Sequence, residues 1–565
     1  MPMTRDEAIA ALTAPGEPYE LEWVVESGRR ARMFRNGPRT LRDLFEQTAS
    51  DAPFLVWDDE TLTFAQAWDA SARIAQRLVD DCGVRAGDRV AISMRNYPEW
   101  VLAFCAATSI GAIAVAMNAF WQPEEMAYGL ADCGAKVLFA DGERLARLAQ
   151  AGVPAGLHVV GVRAGATPAG VIDVAEWLAR PARAGMPAAS IDPSDPATIF
   201  YTSGSTGHPK GVLSSHRNVL AALGSWELDA RAAALATGVE PPSPPGQPAT
   251  LLAVPLFHAT GSHAVFLMSY RLQRRLVCMY KWDPAQAAEI IERERITSFV
   301  APAAMTGDLV RVAASTRHDL SSLMSVGGGG APRAPEQVRQ IDASFARAQP
   351  GTGWGMTETN AIGTGIGGPD YLRRPASSGR CSAVLELKIV DERGAALPAG
   401  ERGELLVRGT AVFRGYWGRP DVDAQMFDAD GWFRTGDVAF LDDEGYLFIV
   451  DRIKDLIIRG GENIGCGHVE AALLAHPDVH EAAVYAVPDE RLGEEVGATV
   501  HGAPGLDPSA LREYLARHLA HFEVPRYLRL SDGPLPRTPS GKVLKRQLRD
   551  EAVAALAAGD SPPAG

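Results

Sequence analysis

Between Tyr201 and Val212 the chain reads YTSGSTGHPKGV, a run whose residue types and spacing suit a polyphosphate. Gly204 and Gly207 allow a tight turn that brings backbone amides close to an anion. Thr202, Ser203, Ser205 and Thr206 add hydroxyl donors, and Lys210 adds positive charge. The order departs from a Walker loop, because Lys210 lies between Pro209 and Gly211 and no Gly-Lys-Ser/Thr step hands a magnesium ion to a helix. A flexible Ser/Gly linker is the competing reading. The apolar run ATIFY (197–201) that leads straight into the loop disfavours it.

Such a loop needs a rigid floor. Apolar runs of strand length alternate with helical patterns: RVAISM (89–94), KVLFA (136–140), ATIFY, and TLLAV (250–254). That alternation predicts layered α/β architecture with mostly parallel sheets. From Val384 to Phe440 shorter alternating strands with Gly-rich turns, such as LELKIV and GELLVRG, predict a small β-rich subdomain. A boundary near Lys454 would divide an N-terminal domain, 1–453, from a compact α+β unit, 454–565. The proline-rich stretch 240–248 reads as a surface loop, and the tail after Val553 is expected to fray.

With 565 residues, 46% hydrophobic and 22% charged, the chain has material for more than one globular unit. Its net charge of −14 argues against nucleic acid as a partner, since phosphate backbones demand a basic face. The six cysteines form no CxxC pair, which disfavours a zinc site or disulfide framework and fits a reducing cytoplasm. The N-terminal segment carries acids and a Pro-Gly-Glu-Pro break, so no export signal is expected. The uncharged stretch 101–122 is long enough to raise the question of a membrane span. Its Ala, Gly and Ser content instead predicts an apolar helix that ends at Gly111 and a buried strand, 112–117.

YTSGSTGHPKGV resembles the signature of the adenylate-forming superfamily, which includes acyl-CoA synthetases, luciferases and the adenylation domains of peptide synthetases. Further elements follow in that family's order: PLFHATG (255–261), GGGGAP (327–332), GWGMTET (353–359), FRTGD (433–437), VDRIKDLIIRGGENI (450–464) and PRTPSGKVLK (536–545). Many motifs in register are far more specific than any one of them. Within the superfamily the chain looks like the fatty acyl-CoA synthetase branch, an acid–thiol ligase that forms AMP.

The resemblance implies ATP, Mg²⁺ and coenzyme A, and a role for each element. Trp354 stacks on adenine, where the family more often has tyrosine, while Gly330 and Ala331 admit backbone groups to the ring edge beside Pro332. Gly353, Gly355, Met356 and Thr357 complete the nucleotide wall. The Asp437 carboxylate, an acceptor only, suits the two ribose hydroxyls, with Arg452 as a second contact. Glu358, with Thr206 opposite, holds Mg²⁺ while leaving waters in place. His258 sits beside the substrate carboxylate, with Gly261, His263, Gly328 and Gly329 on the acid side.

In the implied reaction the carboxylate displaces pyrophosphate from ATP, and Lys542, projecting from the PSGKVLK turn, stabilises the charge that gathers at the α-phosphate. A thiolate then attacks the acyl carbon and AMP leaves. That step requires the smaller domain to turn about Lys454 and present another face. Gly460 and Gly461, lacking side chains, can approach pantetheine, and Phe522 and Arg526 line the CoA entrance. The run Gly465-Cys466-Gly467-His468 departs from the family's common tyrosine-proline-alanine-glutamate pattern.

Peptide-synthetase domains usually carry an aspartate where this chain has His258, which disfavours an α-amino acid. His263, Phe266, Met268 and the run IGTGIGG (362–368) predict a roomy apolar pocket for a medium- or long-chain fatty acid or a bulky cyclic or aryl acid. Two rivals remain open at this level: an enzyme that loads the acyl group onto a carrier-protein thiol, and a nucleotide- and acid-binding protein without turnover. Monomer and homodimer are equally open.

Overall fold

The uncharged stretch after Pro98 sets the centre of the large unit. Pro98 occupies the first position of the helix Pro98–Ser109, every residue of which is buried except Glu99. A helix apolar on all sides belongs inside a core. Gly111, with φ +76°, turns the chain into the strand Ile113–Ala116, buried throughout. The helix-then-strand reading of this stretch is what the fold contains. Among the described residues no helix is long and apolar enough to cross a membrane.

The chain's computed structural model describes residues 3–26, 28–202, 208–238, 244–330, 333–460, 462–538 and 541–557, with Lys454 as backbone alone. Strands occur where the apolar runs predicted them: Arg89–Ser93, Val137–Asp141, Pro196–Thr202 and Ala249–Leu252. The first three lie in an eight-stranded sheet whose interior pairs are parallel. At one edge Lys210–Ser215 pairs antiparallel with Pro196–Thr202, and Gly415–Tyr416 pairs outside it.

Ala249–Leu252 lies in a thirteen-stranded sheet. Its parallel part includes Ser298–Val300, Ser325–Gly327 and Gln349–Thr352. The short strands after Val384 are present as Leu385–Val390, Gly403–Gly409 and Phe433–Leu441. They continue this same sheet through Thr364–Gly367 and Gly379–Cys381. The β-rich region is therefore joined edge to edge to the parallel sheet.

Beyond Ile457 a five-stranded sheet packs with the helices Cys466–Leu474 and Pro508–Ala516 around its own buried cluster. Two expectations are corrected here. The tail does not fray directly after Val553: the helix Lys545–Ala557 runs on, because Leu548 and Ala552 are buried and Val553 and Leu556 pack beside them, while residues 558–565 lie outside the described residues. Ile362 is fully buried and Thr364–Gly367 is a paired strand, so the middle of the IGTGIGG run is sheet and not a flexible segment. In the stretch 240–248, residues 240–243 lie outside the described set. Gln247 ties the remainder down by donating from Nε2 to Pro53 O at 2.7 Å and Gln273 O at 2.9 Å.

Candidate active site

The phosphate-loop strand and its partner form a hairpin in register at Thr202 and Lys210. The Thr202 hydroxyl donates to Lys210 O at 3.4 Å. The loop therefore springs from an antiparallel pair, not from a helix N-terminus. Ser203, Gly204, Ser205 and Thr206 lie outside the described residues, as do Ala331, Pro332 and Gly461. Lys210 Nζ sits 4.8 Å from the centre of the Tyr416 ring. The Tyr416 hydroxyl donates to Glu358 Oε1 at 2.8 Å. Glu358, in the turn Thr357–Thr359, is buried. Burial pushes its carboxyl pKa up, and the Tyr416 hydroxyl, Arg452 and Lys210 act against that rise.

Asp437 and Arg452 are register partners on adjacent strands, and the pair closes at 2.5 Å. The Trp354 indole Nε1–H donates to the other Asp437 oxygen at 2.7 Å. Both carboxylate oxygens are thus engaged before any ribose arrives, and burial pushes the Asp437 pKa up against Arg452, Trp354 and Lys542. Gly363 lies against the Trp354 ring, where a Cβ would come within 2.3 Å. A Cβ at Gly353 would lie 2.3 Å from Thr364 O, and one at Gly355 2.4 Å from Ala361 O. These two glycines let the wall fold onto the 361–364 backbone. Met356 packs at the edge of the same core.

The acid side begins after Ala249–Leu252. A Cβ at Gly261 would fall 2.2 Å from Pro255 O, so Gly261 serves backbone packing at the start of an eight-residue π-helix, Thr260–Leu267. Such wide turns are rare and gather at functional sites. His258 precedes it, its pKa pushed down to about 4 by burial and further by Lys542, so the ring is neutral at pH 7. His263 points into the core, its Nδ1 2.6 Å from Ser262 Oγ and its Nε2 3.2 Å from Asn360 Oδ1. Phe266 packs edge-on against Trp100 and Phe104, and Met268 is buried too. All three side chains, His263, Phe266 and Met268, are packed inside the protein and do not stand on an open pocket wall.

Lys542 comes from the other unit. Its turn is held by Thr538 N–H to Lys542 O at 2.6 Å and Gly541 N–H to Thr538 O at 2.8 Å, with Gly541 at φ +83°, a conformation that glycine adopts without strain. The turn docks on the large unit, where Gly541 faces Met305 and Arg537 lies 4.0 Å from Asp308. The Lys542 Cε lies 4.0 Å from where a Cβ on Gly330 would be, and its charge is felt at both His258 and Asp437. The structure thus gathers Lys542, Gly330, His258, Asp437, Arg452 and Trp354 around one space.

Residues 42–417 match the family described as AMP-binding enzyme, and residues 468–542 match the AMP-binding enzyme C-terminal domain. The chain belongs to the AMP-binding enzyme family. Curated relatives of this AMP-binding enzyme include the long-chain-fatty-acid–CoA ligase FadD13 of Mycobacterium tuberculosis, 32% identical over 87% of this chain and 93% of that protein. A feruloyl-CoA synthase of Amycolatopsis is 34% identical, with coverage of 86% and 93%. A Mycobacterium tuberculosis CoA ligase named for a methyl-dioxo-octahydroindenyl propanoyl group is 36% identical, with coverage of 91% and 97%. Among solved structures, the anthranilate CoA ligase AuaEII with anthranoyl-AMP superposes with a TM-score of 0.82 at 26% identity, over 92% of this chain and 98% of that one. The o-succinylbenzoate CoA synthetase of Bacillus subtilis with ATP and magnesium gives 0.74 at 29% identity, over 90% and 99%. This protein is an adenylate-forming enzyme of the acid–CoA ligase kind, which works with ATP, Mg²⁺ and coenzyme A.

The remaining expected residues of the AMP-binding enzyme lie in its C-terminal unit. Gly460, at φ +59°, belongs to the tight connection between Ile457–Arg459 and Glu462–Ile464. Phe522 packs on the C-terminal core, and Arg526 pairs with Asp489 at 3.2 Å. These residues are not gathered at the Lys542 site. The unusual run starts the helix Cys466–Leu474: Gly465 passes close to Val450, and the buried Cys466 thiol donates to Asp455 O at 3.1 Å. Sequence reasoning missed Tyr416, which holds Glu358, and Asn360, which accepts from His263 and donates to Ala411 O at 2.9 Å. Asn360 at φ 53° and Ala361 at φ 65° form a left-handed step that Ala361 takes at a cost.

Proposed function

We propose that Lys542, Glu358, His258, Asp437 and Arg452 carry the adenylation of an acid with an apolar body, a medium- or long-chain fatty acid or a bulky cyclic or aryl acid, and that coenzyme A then takes the acyl group. The observation that carries this reading is the reach of Lys542, whose charge acts on His258 and on Asp437 together. A group bonded to the ribose and to the acid at once, the α-phosphoryl, has its place between them. Neutral His258 accepts or donates beside the incoming carboxylate without adding charge. Asp437 and Arg452 exchange part of their mutual pairing for the ribose hydroxyls, and the Trp354 ring is the proposed stacking surface for adenine.

Magnesium on the triphosphate requires a hard oxygen ligand. Glu358 fits, because it is a buried carboxylate oriented by a neutral hydroxyl donor at 2.8 Å, and Thr206 is its proposed partner. Bound there, the ion would screen the phosphate charge. Lys542 donates to the α-phosphate oxygens as the carboxylate oxygen bonds to phosphorus and pyrophosphate departs. After that the 454–565 unit pivots at Lys454 away from the 1–453 unit, and Gly460, Gly461, Phe522 and Arg526 face the thiol.

Six free cysteines support a cytoplasmic setting, and a homodimer is the alternative to a monomer that sedimentation would separate. The test of the function is pyrophosphate release over a panel of carboxylic acids, with coenzyme A or a carrier protein supplied. Apolar acids with coenzyme A should turn over fastest. Acetate or amino acids leading the panel, or transfer to the carrier protein alone, would refute the reading.

A further inference from the structure

One arginine beside the proposed acid site has no use in the steps above. Two arginines are buried among the described residues, Arg144 and Arg333. Arg144 is neutralised by Asp141 and Glu143, each at 2.9 Å. Arg333, 8% exposed, has only uncharged partners: it donates from Nη1 to Gly351 O at 3.2 Å and from Nη2 to Thr306 Oγ1 at 3.1 Å, and the buried Tyr371 hydroxyl is a further hydrogen-bond partner of the guanidinium. Its Nε–H is buried with no partner among the described residues. A buried cation without an anion and with an unmet donor is costly to keep, and a ligand acceptor would relieve both deficits.

Its position fits a ligand. Ser325–Gly327 and Gln349–Thr352 are neighbouring parallel strands, and Thr306 lies in the first turns of the helix that follows the parallel strand Ser298–Val300. Arg333 therefore bridges the carboxyl ends of the sheet, where ligands of parallel sheets sit. A Cβ at Gly328 would come 2.5 Å from Nη2 and 2.8 Å from Cζ, so the guanidinium fills the room of a side chain at 328. Among the described residues a Cβ at Gly329 would meet nothing within 4 Å, and one at Gly330 would meet Thr260 Oγ1 at 3.9 Å and Lys542 Cε at 4.0 Å. Open space at Gly329 thus lies between Arg333 on one side and Lys542 on the other. Gly328, against Arg333, and Gly330, near Lys542, are separated by at most about 7 Å of chain.

We propose that Arg333 recognises an oxygen acceptor on the acid, remote from the reacting carboxylate: a ketone carbonyl or a second carboxylate on an otherwise apolar body. This rests on the adenylation reading and narrows its substrate class. A plain hydrocarbon acid would lie against the guanidinium and leave the Nε–H unmet. An acid with the acceptor completes it, and hydrogen bonds to charged groups of this kind are worth about 10–100-fold in affinity.

The test is kcat/KM, by pyrophosphate release and thioester formation, for acids of graded length that end in a methyl group, a methyl ketone or a carboxylate. It is run on the full-length enzyme and on Arg333→Met and Arg333→Lys, with circular dichroism to confirm folding. The wild type should favour one oxygenated series over its methyl-ended match by about 10–100-fold, and the favoured series distinguishes ketone from carboxylate. Arg333→Met should erase that preference through KM for the oxygenated acid while methyl-ended acids keep their rates. Arg333→Lys, retaining charge but losing the fork, should be intermediate. Equal use of methyl-ended acids by the wild type, or an unchanged preference in Arg333→Met, overturns the assignment even if the enzyme adenylates well. No pyrophosphate release with any acid overturns the adenylation reading and this assignment with it.

Discussion

Replacing Lys542 by alanine should separate the two half-reactions. The ammonium arrives on a turn whose backbone hydrogen bonds involve Thr538, Gly541 and the Lys542 main chain, none of which the substitution removes. The side chain is exposed, so folding should be little affected. The lost interaction is that of one positive charge with charge developing on the α-phosphoryl oxygens. At about 4 Å and an effective dielectric of about 20, one such pair is worth about 4 kcal/mol, which corresponds to about 10³ in rate. Loss of a single preorganised donor elsewhere costs about 10²–10³, so two routes agree on the size. Acid-dependent ATP–pyrophosphate exchange should therefore fall about 10²–10³-fold, while a prepared acyl-adenylate plus coenzyme A should still give thioester at a rate within severalfold of wild type. Equal loss in both assays would mean that Lys542 is structural or shared, and the alternation of the C-terminal unit would have to be abandoned.

Glu358→Gln should raise the magnesium requirement of exchange, and Tyr416→Phe, which removes the donor at 2.8 Å, should raise it less; an unchanged magnesium titration in both counts against the site. Lys454→Pro restricts φ at the proposed pivot and, because Lys542 already faces the site, should keep exchange and lose thioester formation; loss of exchange first would refute the pivot. His216, His258 and His263 have pKa values pushed down from 6.5 to about 4 by burial, so the unfolded chain takes up protons first as pH falls. Their stabilisation is full above about pH 6.5 and is lost towards pH 4, by up to about 3 kcal/mol per imidazole. Denaturant unfolding across that window should be flatter in His216→Asn, and an identical slope would refute the account. Asn360→Ala should lower the thermal midpoint more than Asn360→Gly, since both lose the His263 and Ala411 bonds but only glycine keeps φ 53° at little cost.

The fold was legible wherever local pattern and burial agree. The helix Pro98–Ser109 and the strand after it were readable because a run apolar on every side has one stable place, the interior. Parallel strands showed as short apolar runs because both faces are covered. The first turn after Val553 misled because its small residues look unstructured by composition; the buried Leu548 and Ala552, with Val553 and Leu556 packed beside them, supply what propensity alone does not. Lys542, Asp437, Arg452 and Glu358 were singled out by motif order, whereas the pairing of Asp437 with Arg452 and Trp354 came from the structure.

What escaped reading depends on contacts made across hundreds of residues. Tyr416 reaches Glu358 only because Gly415–Tyr416 pairs with Lys210–Ser215, and nothing in the run FRGYW announces that pairing. His263, Phe266 and Met268 carried the right composition for a pocket, yet all three are buried; for His263 and Phe266 the π-helix Thr260–Leu267 advances each residue by a smaller rotation than an α-helix does, and a phase shift of that kind changes which face meets the core. Gly261 permits that geometry by admitting Pro255 O at a distance no side chain tolerates. The same logic applies to Arg333, which follows the family-like GGGGAP run and reads as a surface charge until the room left by Gly328 is seen to hold its guanidinium. Glycine signals in this chain therefore mark two different things, ligand approach and side-chain accommodation, and only the atoms facing the missing Cβ separate them.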